Sequence, residues 1–300
     1  MTTPENPVPN LEESLKPILE LQDVYYSYPG TQQTVLQGLS LRVPQGKRCA
    51  LVGQNGCGKS TLFLLANGLY QPQGGKVYWR GASLNYDHKS LMNLRQKVGL
   101  VFQNPDQQIV ATTVMEDISY GLYNLDLPEA EIKIKIDRCL EQLGLTELTN
   151  KPIHHLSLGQ KKMVSLAGVM VLQPELLLLD EPTAYLDQLH TQQLLAALQK
   201  IYTQKTTILM ATHDLNLVYR WADWVFVLHQ GRLILEGTPQ AVFTQQQLLQ
   251  ELQLGMPIAL EILSEVAIAL QATSPLMENQ DSPPVWRQLH QRILDLFRYL

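Results

Sequence analysis

Charge is scarce in this 300-residue chain: Asp, Glu, Lys and Arg make up only 17% of it, where soluble domains usually carry about 25%. The shortage points to surface that a partner covers. There is no basic excess either. The formal net charge is −5, whereas nucleic-acid binders carry clustered Lys and Arg, so no nucleic-acid partner is expected. Cysteine is limited to Cys49, Cys57 and Cys139, a scattered set that excludes a disulfide framework and fits a reducing compartment. No apolar run reaches the ~20 residues of a membrane span, and the most apolar stretch, Met163–Leu179, is broken by Gln173-Pro174-Glu175. Met1–Leu11 lacks the basic start and apolar segment of a secretory signal. The expectation is a soluble, cytosolic protein whose dealings with a membrane run through another chain.

Hydrophobic residues reach 45%, enough for a full core, and their spacing divides the chain. Residues 1–17 read as a flexible leader. Leu19 and Leu21, then Val24, Tyr26 and Tyr28, alternate as a strand with a bulge at Gln22-Asp23. Leu39, Leu41 and Val43 alternate likewise. Cys49–Val52 is a short apolar strand entering a glycine-rich turn, with a helix over Thr61–Leu69 behind it. Val98–Phe102 is the next strand, and 104–172 is a helical insert without a convincing strand. Within it, Glu129–Leu143 also fits a two-residue period at Ile132, Ile134 and Ile136, but its length, charges and Pro128 favour helix.

Leu176–Leu179 is wholly apolar, as in a strand buried on both faces of a parallel sheet. Helix Gln188–Tyr202, strand Thr206–Ala211, helix Leu215–Trp221 and strand Trp224–Leu228 then alternate. Thr238-Pro239 reads as the N-cap and first residue of a short helix. This alternation defines an α/β core on a largely parallel sheet, assigned to 18–245. A helical C-terminal extension, 246–300, follows: a helix over Pro257–Ala272, a polar linker over Thr273–Pro284, and a closing helix. Trp286, Leu289, Ile293, Phe297 and Leu300 share one face of that helix, which suits packing or dimer contact better than a lipid surface.

Gly53-Gln54-Asn55-Gly56-Cys57-Gly58-Lys59-Ser60 fits G-x-x-x-x-G-K-[ST] with a strand before it and a helix after it. In such a loop, backbone N–H groups turn inward as an anion cradle at a helix N-terminus. Lys59 reaches the β- and γ-phosphates of a nucleoside triphosphate, and the Ser60 hydroxyl is a ligand for Mg²⁺. Cys57 beside Lys59 could have a lowered thiol pKa, though a small loop filler is the simpler reading. The second element is Leu176–Leu179 followed by Asp180 and Glu181. Ligands of parallel sheets sit beyond the carboxyl ends of strands, which places Asp180 near Mg²⁺ and Glu181 where it can deprotonate the attacking water.

Between and after these elements lie Leu156-Ser157-Leu158-Gly159-Gln160, Pro182-Thr183-Ala184-Tyr185-Leu186-Asp187 and Thr212-His213-Asp214. This ordered set resembles the nucleotide-binding subunits of ATP-binding-cassette (ABC) transporters over roughly residues 18–245. The resemblance implies the ABC ATPase fold: a P-loop core with a mixed, largely parallel sheet, an antiparallel β subdomain and a helical insert. It implies Tyr28 as the aromatic on adenine, with Tyr25 and Tyr26 as competitors, and Thr61 at the end of the phosphate site. Gln103 would contact Mg²⁺ and the attacking water, and His213 would hold the γ-phosphate and the water. The signature Ser157, Leu158, Gly159 and Gln160 would act on the ATP of a second subunit, with Asp187 in a loop at the dimer interface. ATP and Mg²⁺ are the implied cofactors. His154 and His155 could suggest a metal site, but packing and loop roles suit their position better.

Val101-Phe102-Gln103-Asn104-Pro105-Asp106-Gln107-Gln108, followed by Thr113-Val114-Met115-Glu116-Asp117, is similar to the energy-coupling-factor (ECF) branch, particularly ATPases of cobalt and nickel uptake. The signature with its trailing Lys161-Lys162 is similar too. Two positions depart from the superfamily pattern: Leu158 stands in place of the usual glycine, and Met163 in place of a common arginine. The branch implies a dimer of ATPase subunits, identical or not, on an integral membrane scaffold, with a separate membrane protein capturing a transition-metal ion or a vitamin. This places the chain peripherally on the cytoplasmic face of the membrane. A soluble ABC-type ATPase of repair, translation or cluster assembly is the alternative.

Overall fold

The computed structural model describes residues 16–266 except 32, 126 and 264. Two sheets carry the fold. The first is antiparallel, in the order β2-β1-β4-β5, from Pro17–Ser27 (β1), Thr34–Pro44 (β2), Gly74–Trp79 (β4) and Ala82–Ser83 (β5). The β1–β2 register slips between Leu21 and Val24, where Asp23 takes φ 47°, so the bulge falls at the expected place. The second sheet runs β10-β9-β3-β8-β7-β6, from Arg48–Val52 (β3), Val98–Val101 (β6), Leu176–Asp180 (β7), Thr207–Ala211 (β8), Trp224–His229 (β9) and Arg232–Gly237 (β10). Its pairs are parallel except β9–β10.

Residue alternation decides which layer each strand side chain enters. Leu176 and Leu178 join the cluster under the antiparallel sheet, with Leu62, Phe63 and Leu65 of helix α1 (Lys59–Ala66). Leu177 and Leu179 point the other way, onto Leu194, Leu198 and Ile201 of helix α6 (Gln188–Thr203). All four leucines are fully buried, each stabilising the fold by roughly 1.5–3 kcal/mol. Helix α2 (His88–Lys97) leads into β6. Between β6 and β7 lie α3 (Val114–Tyr120), α4 (Glu129–Leu143) and α5 (Leu158–Met170), with their own apolar cluster. Met163, at the position where an arginine is common, packs against this cluster and that of α6.

Helices α7 (Leu215–Trp221), α8 (Pro239–Phe243) and α9 (Gln246–Glu251) cover the β3–β9 side. Thr238 caps α8 by accepting from the Ala241 N–H, with Pro239 at the first turn. Leu249 and Leu252, past residue 245, are buried in the same cluster as Val218, Val225 and Phe243. Residues 258–263 are helical, as expected for that part of Pro257–Ala272. The linker at 273–284 and the closing helix lie outside the described residues, as does all but the end of the leader. No helix among the described residues is long and apolar enough to cross a membrane.

Candidate nucleotide site

The loop Gly53–Ser60 leaves β3 and enters α1, and two of its glycines are required sterically. Gly53 has φ 157°, and a Cβ there would collide with the Leu228 carbonyl and stand 2.7 Å from Cys57 Sγ. Gly58 caps α1 at φ 107°, where a Cβ would meet Leu36 Cδ2 at 2.6 Å. Lys59 is buried, its Nζ donating to the Gly53 carbonyl at 2.7 Å and to the Gln54 carbonyl at 3.1 Å. The loop thus holds its own cation in place beside a helix N-terminus, the geometry that attracts phosphate. Burial pushes the Cys57 thiol up against the opposing pull of Lys59, so a protonated sulfur fills the space beside Gly53.

The loop except Cys57 lines one cleft of about 1270 Å³, together with Thr61, Tyr28, Gln103, Asp180, Glu181 and His213. The Tyr28 hydroxyl is 2.9 Å from Thr61 Oγ1. Its ring stands edge-on to Tyr26 and Tyr70, whose rings stack 5.4 Å apart. Tyr26 is buried, and Tyr25 lies over Gly38 and Gly74. Tyr28 is therefore the one of the three tyrosines that reaches the cleft.

Asp180 ends β7, and the chain turns at once at Glu181, which takes φ 43°. Glu181 Oε2 is 2.9 Å from His213 Nδ1; the carboxylate is buried and the imidazole exposed. Burial raises the Asp180 carboxyl; a Ser60 hydrogen bond lowers it, Glu181 repels it and Lys59 relieves it. A cation at this point would offset the cost of that buried charge. No three His, Cys, Asp or Glu side chains among the described residues converge on a metal position. Ser60, Asp180 and the Gln103 amide are oxygen donors on one cleft. They fit Mg²⁺, which takes one or two carboxylates and fills its octahedron with water and phosphate oxygens.

The signature residues are elsewhere. Ser157 caps α5 by accepting from the Gln160 N–H at 3.2 Å, while Gln160 Oε1 accepts from the Ser157 N–H at 3.0 Å, a reciprocal capping box. Neither residue lines the cleft, nor do Leu158, Gly159 or Asp187. Leu158 is exposed, and a Cβ on Gly159 would collide with the His190 ring. That ring is held by Asp187, which caps α6 by accepting from the His190 N–H and contacts Nδ1, each at 2.8 Å. His154 and His155 are exposed on a short turn, with ring centroids 4.2 Å apart.

Several contacts were not foreseen from the residues. Gln108 ties the Gln103 loop to α5, accepting from the Phe102 N–H at 3.1 Å and donating to the Ser165 carbonyl at 2.9 Å. Lys161 of α5 pairs with Asp106 at 2.8 Å, and Lys162 is buried against the turn after Glu181. Gln253 accepts from Gln54 Nε2 at 2.9 Å, bringing the stretch after α9 to the cleft. The periodic apolar pattern signalled none of these four. A smaller groove of about 240 Å³ opens between β6 and α5, lined by Leu69, Gly99, Leu100, Phe102, Val169 and Leu172 among others.

An α/β sheet with a phosphate cradle at one strand end and a paired carboxylate turn at another defines a P-loop nucleoside-triphosphate hydrolase. Residues 36–184 match the ABC transporter family. A Nostoc protein named as an ABC transporter ATP-binding protein is 64% identical over 82% of this chain and 89% of its own length. The energy-coupling factor transporter ATP-binding protein EcfA of Methanocaldococcus jannaschii is 44% identical over 80% of this chain and 86% of its own. Among solved structures, cbiO1 of Clostridium perfringens, part of the ABC transporter complex cbiONQ, superposes with a TM-score of 0.71 at 37% identity, covering 83% of this chain and 99% of that one. The chain belongs to the ABC transporter family as an ATP-binding subunit of the energy-coupling-factor type, and ATP hydrolysis is its activity.

Proposed function

We propose that this chain powers a membrane importer as one of two cassettes that close on ATP, and that the cargo is a transition-metal ion such as cobalt or nickel, or a vitamin. The observation carrying this reading is the separation within one chain: every phosphate-handling group lines the cleft, while Ser157, Leu158, Gly159 and Gln160 do not. A second subunit, identical or related, brings its signature to this cleft. Asp187 then lies in the loop that meets across the interface.

In the closed site Tyr28 receives the adenine, and the loop N–H groups with Lys59 hold the phosphates. Ser60, Asp180 and Gln103 would hold Mg²⁺, which would neutralise phosphate charge when bound. Glu181 takes the proton of the attacking water, and His213, hydrogen-bonded to Glu181, keeps water and γ-phosphate in line. The Gln103 loop, tied to α5 through Gln108 and Lys161, carries the state of the nucleotide to the insert. The apolar groove at Phe102 and Leu172 receives a cytosolic helix of an integral membrane scaffold, while another membrane protein captures the cargo. The chain is then peripheral, on the cytoplasmic face.

Purification of the tagged full chain from its native membranes in mild detergent tests the proposal. Integral membrane proteins in fixed ratio to the chain are expected, and their identity gives the cargo class. Recovery in soluble assemblies alone favours the repair, translation or cluster-assembly role instead. For the chemistry, Glu181→Gln should bind ATP normally while turnover falls by about 10²–10⁴-fold. Turnover at the wild-type rate would remove Glu181 as the base.

A further inference from the structure

Lys162 sits on α5 and is only 5% exposed. Its Nζ donates to the Pro182 carbonyl at 2.9 Å and to the Glu181 carbonyl at 3.2 Å. Those carbonyls belong to the turn in which Glu181 takes φ 43°. A non-glycine residue stays in that left-handed region only where its surroundings hold it there. Glu181 donates its N–H to the Ala211 carbonyl at 2.9 Å, and its own carbonyl also accepts from the Ala184 N–H at 3.1 Å. The first of those bonds comes from the neighbouring strand β8 and the second from within the turn itself. Lys162 adds a tie from the insert.

Burial pushes the Lys162 ammonium down to about 8, with the charge of Glu181 opposing the shift. The tie does not depend on that charge. A neutral amine keeps two N–H donors, one for each carbonyl. The arrangement also joins two functional elements directly. The first turn of α5 carries the signature, its second turn carries Lys162, and the carbonyl that Lys162 grips belongs to the same residue as the carboxylate facing His213.

We propose that Lys162 is a positioning residue for hydrolysis: its bonds to the Glu181 and Pro182 carbonyls aim the Glu181 carboxylate and make that aim follow the placement of the signature helix. The idea rests on Glu181 being the base. A shift of α5 relative to β7 either drags the turn or breaks both bonds, so a signature helix out of place leaves Glu181 misdirected. Nucleotide binding is untouched, because Lys162 is not among the residues lining the cleft.

Steady-state hydrolysis by the full-length chain tests this with Lys162→Met, Lys162→Arg and Glu181→Gln side by side. Lys162→Met keeps an unbranched apolar stem out to the ε position and removes the terminal donors. It should lower kcat by about 10- to 100-fold, the size expected when a catalytic group is misplaced by an ångström or so, while KM for ATP stays within about threefold. Lys162→Arg retains donors and should recover most of the lost kcat. A wild-type kcat in Lys162→Met would overturn the proposal, as would a KM that rises in step with the loss, or an arginine variant as slow as the methionine one. If Lys162→Met does not fold, as read by circular dichroism, Lys162→Gln, whose shorter amide withdraws from the turn, is read by the same criteria. A fall in melting temperature with kcat unchanged would mark the contact as structural only. Glu181→Gln separates the two ideas: if it turns over normally, the base is wrong. If it is silent while Lys162→Met is fully active, only the positioning role fails.

Discussion

At the phosphate end of the molecule the charged groups are buried and already partnered: Lys59 on two loop carbonyls, Asp180 near Ser60, Glu181 on His213. At the signature end the helix-capping groups are satisfied locally, through the Ser157–Gln160 box and the Asp187–His190 pair. The apolar side chains near them are left in water: Leu189 is 62% exposed and Leu158 is 38% exposed. A buried charge without a partner is expensive, so the chain must finish the phosphate end while folding. The signature end has no such requirement, and its exposed apolar groups are what an association surface needs. The comparison supports the reading of one end as a formed half-site and the other as the half offered to a second copy.

The largest expected effect at the finished end is that of Lys59→Ala. Removing a buried cation from phosphate contact costs about 2–5 kcal/mol, so ATP affinity should fall by roughly 30- to several-thousand-fold, measured by calorimetric titration. Gly159→Ala should show the reverse split. The added Cβ displaces the His190 ring, and hydrolysis should drop by about 10-fold or more with ATP affinity of the monomer unchanged within about twofold. Should ATP affinity fall as well, the signature would belong to its own chain's cleft and the contrast between the ends would collapse.

Leu189→Glu places a charge on the exposed face near Asp187. We expect ATP-dependent self-association to weaken by about tenfold, or ~1.4 kcal/mol, as read by sedimentation, with melting temperature unaltered. The smallest effect lies away from both ends. Asp223 accepts from Arg48 N at 2.9 Å, Nε at 3.2 Å and Nη2 at 2.8 Å, pinning the start of β3. Burial works to raise the Asp223 carboxyl, but the Arg48 hydrogen bonds outweigh it and hold the group below its usual range. Its stabilisation is therefore complete above the unfolded value near pH ~3.9 and is lost as pH falls through the lower folded value. Asp223→Asn should cost about 1 kcal/mol at neutral pH, with solvent screening allowed for. That deficit should vanish in acid, and hydrolysis per folded molecule should be unaffected.

The parallel core was legible because burial on two faces leaves an unmistakable pattern: Leu176–Leu179 and Thr207–Ala211 are apolar or β-branched at every position. Helix α4 was legible for its length and α8 for its Thr-Pro start. The antiparallel sheet was legible only in part. β4 opens on Gly74-Gly75, where two glycines mask the short alternation that follows, and β5 has two residues. Helix α2 carries an Asp87 cap on the Ser90 N–H at 3.0 Å, a signal that was there to be read, but its poorly apolar sequence buries only Leu94. In the site, loop and carboxylate pair were readable because phosphate chemistry demands those residue types at those spacings. Lys162 and Gln253 were not, since both act by side-chain contact to a segment distant in sequence, and no local pattern encodes such a contact.

The central claim is that a complete hydrolytic site needs the signature of a second chain. Its most direct test is the mass in solution of the Glu181→Gln chain at saturating Mg-ATP, by sedimentation equilibrium, against the same chain without nucleotide. The account predicts twice the chain mass with ATP and the single-chain mass without it, and the doubling should disappear in Gly159→Ala/Glu181→Gln. A chain that binds ATP fully and stays at single mass across the concentrations at which wild type hydrolyses would contradict it.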